Sequence, residues 1–416
     1  MKLIQAVPFV VACLTAAPVY AEVPTPNLPP DDIVRKVLLE HPGVQAASTQ
    51  VRLEEANRDR LEAGPYEWTV RYGQQQRRTY PAAADAQRFH EWNATLERAV
   101  RLPGKASLDA EIGAKGIEIA ETALGDTRHE TSRALLHAWF IWLRESAAVR
   151  QWELQLASLE KQGSSVRRRQ QLGDAARLES VLAEAALAQA KTQLSQARLR
   201  RQSAEEELRR RYPGLPLPHV QDISEPMPTE GGLDLWLGKI ITASHEVQLA
   251  RAQVQRARLA AERAASDRVP DPTIGVSSSR ERAGEERLVG VFVSIPLPGQ
   301  ARRATSDAAS AQLDWAMRQE ESARRKTQAE AAVLYQSVMA ARESWQSSRD
   351  SADQMEQAAS MTARAYQLGE GSLNELLMAR RLANEAQLAE RQMRLDALEY
   401  RYRLLLDAHQ IWDFDE

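Results

Sequence analysis

The sequence contains one cysteine in 416 residues, Cys13, and it lies in the opening segment MKLIQAVPFVVACLTAAPVYA (1–21). A disulfide framework or a thiolate metal site cannot be built from a single thiol. Past the opening segment there is no run of about eighteen uncharged apolar residues, so no transmembrane helix is expected. An excess of one charge is also missing. Lys and Arg number 54 and Asp and Glu 57, so the basic excess typical of nucleic-acid binding is absent. No GxxxxGK[ST] phosphate loop occurs. The seven histidines stand at 41, 90, 129, 137, 219, 245 and 409. They form no i, i+4 pair and no Cys/His cluster of the kind that ligates a metal. No Ser/His/Asp or paired-carboxylate pattern is evident. The expectation is a non-enzyme with no cofactor and no resident metal.

The opening segment has the layout of a secretory leader. Lys2 supplies the positive start, an apolar run extends from Leu3 to about Ala17, and Val19-Tyr20-Ala21 forms a small-residue site. Cleavage is expected before Glu22. Cys13 reads as an apolar member of that run. Its setting, Val11-Ala12-Cys13, also loosely resembles a lipid-attachment site. Removing the leader takes away Lys2 and no acid, so the balance stays near neutral.

What the sequence does have is long stretches dominated by Ala, Glu, Arg, Leu and Gln, the mark of long helices and coiled coils. Residues 106–170 contain no proline, and neither do residues 301–416. Val149, Trp152, Leu156 and Leu159 step by three and four, as do Ala331, Leu334, Val338, Ala341 and Trp345. The chain is also written twice. LPGKA (102–106) returns as LPGQA (297–301), and QLGD (171–174) returns as QLGE (367–370). Each LPG corner follows a segment with strand alternation. Trp68, Val70 and Tyr72 alternate with polar neighbours, as do Trp92, Ala94 and Leu96; Ile274 and Val276 form a third stripe, and Val289, Val291, Val293 and Ile295 a fourth. Polar loops are expected at 77–87 and 280–287, leaving strands of about seven to ten residues.

Each half thus predicts helix, strand, loop, strand, LPG corner, very long helix, Gly tip and return helix. Pro103, Gly104, Pro298 and Gly299 would turn strand into helix, with glycine permitting the change of direction at both places. Gly173 and Gly369 would end the long helices at hairpin tips. The expected division is 1–21 leader, 22–211 first repeat, 212–230 Pro-rich linker and 231–416 second repeat. The fold class is mainly α with a small β part. Four strands make an open sheet, which cannot lie in hydrocarbon with unpaired edges. A membrane role would therefore require several copies sharing one barrel.

This duplicated plan, with its LPGK and PLPGQ corners and QLGD/QLGE tips, resembles the TolC-like outer-membrane efflux proteins over residues 31–410. Within them it is closest to the CzcC-like branch serving heavy-metal cation efflux. The resemblance implies a homotrimer with a shared transmembrane β-barrel in outer-membrane lipid and an α-helical tunnel through the periplasm. Its implied partners are a periplasmic adaptor protein, docked at Gly173 and Gly369, and an inner-membrane pump of the resistance-nodulation-division class. It places Glu179 and Glu375, six residues after those glycines, at the periplasmic aperture, where the family usually has aspartate. Met378 replaces a second aperture aspartate, and Gly371 replaces a basic residue that can lock the closed state. A substitute lock could come from Arg177 or from Arg167-Arg168-Arg169, the latter read first as a solvated helix end. Other readings are multidrug export on the same fold, a secreted structural coiled coil, and a periplasmic adaptor.

Overall fold

The computed structural model describes residues 25–80, 82, 85–218 and 222–413. The leader, Cys13 and His219 lie outside the described residues. Among the described residues, eight α-helices and four β-strands follow one another as two matching sets, with one short 3-10 turn, Arg282–Gly284, between the last two strands. The first set is α1 (Asp31–Leu39), α2 (Pro42–Ala63), β1 (Thr69–Thr79), β2 (Gln87–Ala99), α3 (Lys105–Gln171) and α4 (Arg177–Arg211). The second is α5 (Leu233–Ala243), α6 (His245–Ser266), β3 (Thr273–Glu281), β4 (Glu286–Ser294), α7 (Gln300–Leu368) and α8 (Leu373–Asp407). Helix α3 has 67 residues and α7 has 69. Each is about 100 Å long at 1.5 Å per residue. The short helices α1 and α5, which the apolar spacing does not predict, complete the duplication. Among the described residues no helix is long and apolar enough to cross a membrane.

Helices this long need lateral partners, because polar faces alone give a lone helix little stability. Here α3 packs on α4 and α7 on α8, and the two hairpins meet along α3 and α8. The main core lies midway along them. Leu135, Leu136, Trp139, Phe140, Trp142 and Leu143 of α3 face Leu395, Leu398, Tyr402 and Leu405 of α8. Each such side chain contributes about 1.5–3 kcal/mol on full burial. The Pro-rich stretch is part of this core: Tyr212 and Leu215 are buried, and Arg394 of α8 donates to the Ile223 carbonyl at 3.1 Å.

The strands form one antiparallel sheet in the order β1-β2-β3-β4. β3 and β4 have the expected length, at 9 residues each, while β1 and β2 run longer than expected, at 11 and 13. The ladder continues through segments whose polarity suggests loops, such as Arg77–Thr79 and Arg280–Glu281. Alternation of polarity marks a strand only while one face is apolar. Beyond that point both faces are polar, and charge pairs hold the ladder.

The two LPG corners also differ. Gly104 sits in the left-handed region at φ 85° and starts α3, with Lys105 N–H closing a turn onto the Leu102 carbonyl at 3.3 Å. Gly299 is extended, at φ −120° and ψ −177°, a conformation any residue adopts. Glycine is therefore required at one corner and not at the other. Gly104→Ala should cost about 1 kcal/mol, while Gly299→Ala should be neutral or slightly stabilising. Chemical denaturation of both variants checks this; equal losses would contradict it.

Candidate functional site

Three regions carry features that packing alone does not explain: the sheet, the corner beneath it, and the hairpin tips.

The sheet has two chemically distinct faces. In register, Val70 pairs with Leu96, Leu96 with Val276 and Val276 with Val291. Tyr72, Ala94, Trp92, Ile274, Val289 and Val293 share this face by the two-residue alternation. Its apolar side chains point outward: Val70 is 73% exposed, Val289 84% and Val291 85%. The other face carries Arg71, Gln75, Glu91, Asn93, Thr95, Glu97, Ser277 and Ser279, with Phe89, Leu288 and Phe292 as apolar exceptions. An apolar face turned to solvent and a polar face behind it invert the usual arrangement of a soluble protein. They match strands with lipid on one side and a polar lumen on the other. At the loop end, Glu91 is nearly inaccessible. It accepts from Gln75 Nε2 at 2.9 Å and pairs with Arg77 at 3.0 Å. Arg77 also reaches Glu281 at 2.7 Å, which ties the two strand pairs together.

Beneath the sheet, Lys105 is almost fully buried. Its Nζ donates to the Val269 carbonyl at 2.7 Å and to Asp271 Oδ1 at 2.8 Å, and pairs with Asp267 at 3.0 Å. Asp271 also accepts from Leu102 N–H at 3.0 Å and from the Tyr66 hydroxyl at 2.8 Å. Burial would raise the Asp271 carboxyl, but these bonds hold it below the usual carboxylate range. The lysine of the first LPG motif thus fastens the first-half corner to the entry of β3.

At the tips, Gly173 and Gly369 are left-handed, with φ 85° and 80°. In both, two backbone bonds close the helix end. Gly173 N–H donates to Gln170 O and Asp174 N–H to Arg169 O; Gly369 N–H donates to Tyr366 O and Glu370 N–H to Ala365 O. This is the Schellman stop that glycine allows. A Cβ on either glycine would meet nothing within 4 Å, so both tips are open surface. Leu172, Leu178 and Leu368 are exposed around them.

The two glutamates singled out by their spacing do different things. Glu375 forms a capping box with Ser372, accepting from its N–H at 2.8 Å and donating its own N–H to the Ser372 hydroxyl at 3.2 Å. The Ser372 N–H holds its carboxyl below the usual range. Glu179 faces the other hairpin, accepting from the Tyr366 hydroxyl at 3.1 Å. Arg169 donates to the same hydroxyl at 2.8 Å and to the Asp174 carbonyl at 3.0 Å, and stands 4.0 Å from Glu179. Arg169 is therefore partnered, while Arg167 and Arg168 beside it are exposed. With Tyr366, which no motif marks, Arg169 joins tip to tip. Val166, Ala183, Leu373 and Leu376 pack as a small apolar cluster at the same level.

The histidines are less scattered than their spacing suggests. His129, His245 and His409 converge, with ring centroids 5.0, 5.1 and 6.1 Å apart. His129 and His409 are stacked at 16°, so their nitrogens cannot point at one common atom. Among the described residues no group is arranged to hold a metal. The rings border a charged cleft of about 1090 Å³ between α3, α6, α7 and α8. Its anchor is Asp407. Burial alone would raise that carboxyl, but bonds from His129 and Arg133 and the charge of Arg403 pull it down to about 2. The resulting stability is present above the ordinary carboxylate value and is lost as pH falls through about 2. Asp407→Asn should cost about 2 kcal/mol near neutrality, and the gap from wild type should close between pH ~4 and ~2. Unfolding at a series of pH values tests the sign.

Residues 236–406 match the family model of outer membrane efflux proteins. This covers the second repeat and less than half of the chain. No curated protein matches the sequence. Solved structures match nearly the whole chain. The outer membrane protein VceC of Vibrio cholerae shares 15% identity, with 91% of this chain and 95% of that one covered and a TM-score of 0.73. The outer-membrane channel OprN shares 17%, with 92% and 90% covered and a TM-score of 0.76. The open state of the MtrE outer membrane channel of Neisseria gonorrhoeae shares 16%, with 92% and 89% covered and a TM-score of 0.72. The chain has the fold of these channels: long helical hairpins beneath a small sheet, laid down twice.

Proposed function

We propose that this chain is the outer-membrane channel of a tripartite efflux system, a passive trimeric conduit that carries cargo from an inner-membrane pump and a periplasmic adaptor to the outside. The observation that carries this reading is the sheet, apolar and exposed on one face, polar on the other and open at both edges. A free edge is excluded from hydrocarbon, so copies must close it. Two copies would give eight strands, a barrel filled by its own side chains, whereas twelve strands from three copies leave a lumen. The chain exposes 26282 Å², against about 16,000 Å² for a compact monomer of its mass. That excess favours copies packed side by side. The family match of the second repeat and the shared fold support the same reading.

In this reading the open tips at Gly173 and Gly369 dock the adaptor, and Glu179 and Glu375 lie near the aperture. The pump is of the resistance-nodulation-division class and supplies the energy. The cargo is a heavy-metal cation, favoured by carboxylates at a narrow opening, which attract cations and repel anions. Export of drugs or other small molecules is the alternative cargo. Membrane fractionation with mild crosslinking tests the channel: a trimer in the outer-membrane fraction supports it, and a soluble dimer refutes it in favour of a secreted coiled coil. Growth of a deletion strain on graded metal salts and a drug panel tests the cargo. Sensitivity to divalent cations alone supports the cation reading; sensitivity to drugs alone replaces it.

A further inference from the structure

Each repeat contains a small joint beside the main core, and the two joints carry opposite electrostatics. In both, the return helix from the tip ends where a shorter helix toward the sheet begins, α4 at α2 and α8 at α6. A histidine opens each shorter helix, His41 as the N-cap of α2 and His245 as the first residue of α6. Each is followed by a buried valine and a glutamine, Val44-Gln45 and Val247-Gln248. A ring from just past the return helix lies against each histidine. Tyr212 stacks on His41 with centroids 5.9 Å apart and 27° between planes, and His409 lies 5.0 Å from His245. Two features show that the second contact is specified. His409 takes the left-handed place of a Schellman stop, at φ 53°, which glycine fills at both tips; a side chain there is strained. On α3, Gly125 leaves room for His245, since a Cβ would stand 2.7 Å from its ring.

The first joint has nothing to balance a proton. His41 Nδ1 caps α2 by accepting from Gly43 N–H at 3.2 Å, which requires that nitrogen unprotonated. A protonated ring would lose the bond, set a positive charge at the positive end of the α2 dipole and oppose Arg211 at the end of α4. Among the described residues no carboxylate pairs with His41, and Glu207 of α4 is held by Arg211 at 2.9 Å. Burial and the Arg211 guanidinium keep the imidazole below its ordinary value.

The second joint has a carboxylate for each ring. Asp407 lies 3.4 Å from His129 and Asp413 3.4 Å from His409, and Asp126 feels the charges of His245 and His129. The cations that border it are already paired. Arg133 holds Glu130 and Asp407, Arg403 holds Asp407, and Lys326 of α7 holds Glu246 of α6 and Glu330. Arg128 of α3 also borders this joint.

We infer that the first joint is acid-sensitive: protonation of His41 releases the start of α2 from the end of α4, while the joint at His245 stays closed. The sign follows from linkage. A histidine held neutral when the joint is closed binds its proton better when the joint is open, so closure is favoured at high pH and is lost progressively below about pH 6.5. Acid then frees the first hairpin at its upper end and leaves the second fastened. This holds for the chain whether or not it forms a channel.

Hydrogen exchange of the full chain, read by mass spectrometry at about pH 7.5 and about pH 5.5 and corrected for the intrinsic change in rate, tests it on either side of the imidazole value. Protection of residues 43–48 and 206–211 should fall about fivefold at the lower pH, the scale of a lost helix cap. Protection of 247–252 and 402–407 should not change. His41→Asn supplies a cap that cannot titrate and should abolish the fall. His41→Ala lacks the cap at both pH values and should show low protection of 43–48 throughout. No fall in the wild type, an equal fall in both repeats, or a fall that survives in His41→Asn would each overturn the inference.

Discussion

On the trimeric-channel reading, Val291→Arg is expected to remove the protein from the outer-membrane fraction. Val291 sits in the middle of the β4 row Val289-Val291-Val293 and is almost wholly exposed on the apolar face. A strand of nine residues spans about 30 Å, so this position falls near the centre of an apolar band about 25 Å tall. Arginine there costs about 2–4 kcal/mol on a barrel strand. Three copies multiply that to roughly 6–12 kcal/mol, comparable with the whole stability of a typical folded domain. Ser277→Arg is the matched control. Ser277 lies on β3 opposite Thr95 and Gly290, on the polar face, where a lumen accepts charge. Ser277→Arg should therefore stay membrane-bound and alter only conductance. If both variants partition like wild type, the apolar face does not meet lipid. If both are lost, the sheet is packed against protein on each side. Only the split outcome fits a barrel wall.

The contrast between these two residues is legible in the sequence alone, because the two-residue period separates the faces. The long helices are equally clear, since proline-free runs with three-and-four spacing leave few alternatives. What the sequence hides has physical causes. The outer parts of β1 and β2 carry charge on both faces, so polarity alternation vanishes where Arg77, Glu91 and Glu281 take over the ladder. Helices α1 and α5 span only nine and eleven residues, too short for a repeat of apolar spacing to stand out. Gly104 and Gly299 occupy the same motif, yet only one needs glycine, because the conformation depends on the turn that Lys105 closes. At the tips, Glu179 is visible from its spacing after Gly173. Its partner Tyr366 lies on the other hairpin, 187 positions away, and no local pattern can join them. The same holds for His129, His245 and His409, which only the packing of α3, α6 and the end of α8 brings together.

The tip contact leads to the second large effect. On the same channel reading, Tyr366→Phe should open the tunnel entrance, seen as a several-fold rise in single-channel conductance and as entry of bulky antibiotics that the outer membrane normally excludes. The substitution keeps the ring, which packs against the Val166–Leu376 cluster, and removes the hydroxyl that joins Arg169 to Glu179. Two hydrogen bonds to charged groups are lost in each copy. Buried bonds of that kind are worth about 1.5–3 kcal/mol each. Arg169 and Glu179 are 41% and 28% exposed at the side chain, so solvent screening reduces this to about 1 kcal/mol per bond. Three copies then lose roughly 6 kcal/mol, and about 5.5 kcal/mol moves a two-state equilibrium from 1:99 to 99:1. Glu179→Gln should fall between wild type and Tyr366→Phe, because an amide oxygen still accepts from the hydroxyl while the attraction to Arg169 disappears. Arg169→Ala should match or exceed Tyr366→Phe, since it also frees the Asp174 carbonyl at the turn. Unchanged conductance in all three variants would mean that these groups brace the hairpins without gating them. A graded series in the order Glu179→Gln, Tyr366→Phe, Arg169→Ala would identify the contact between hairpins as the closed-state lock, supplied here by Arg169 on the first hairpin in place of a basic residue at Gly371.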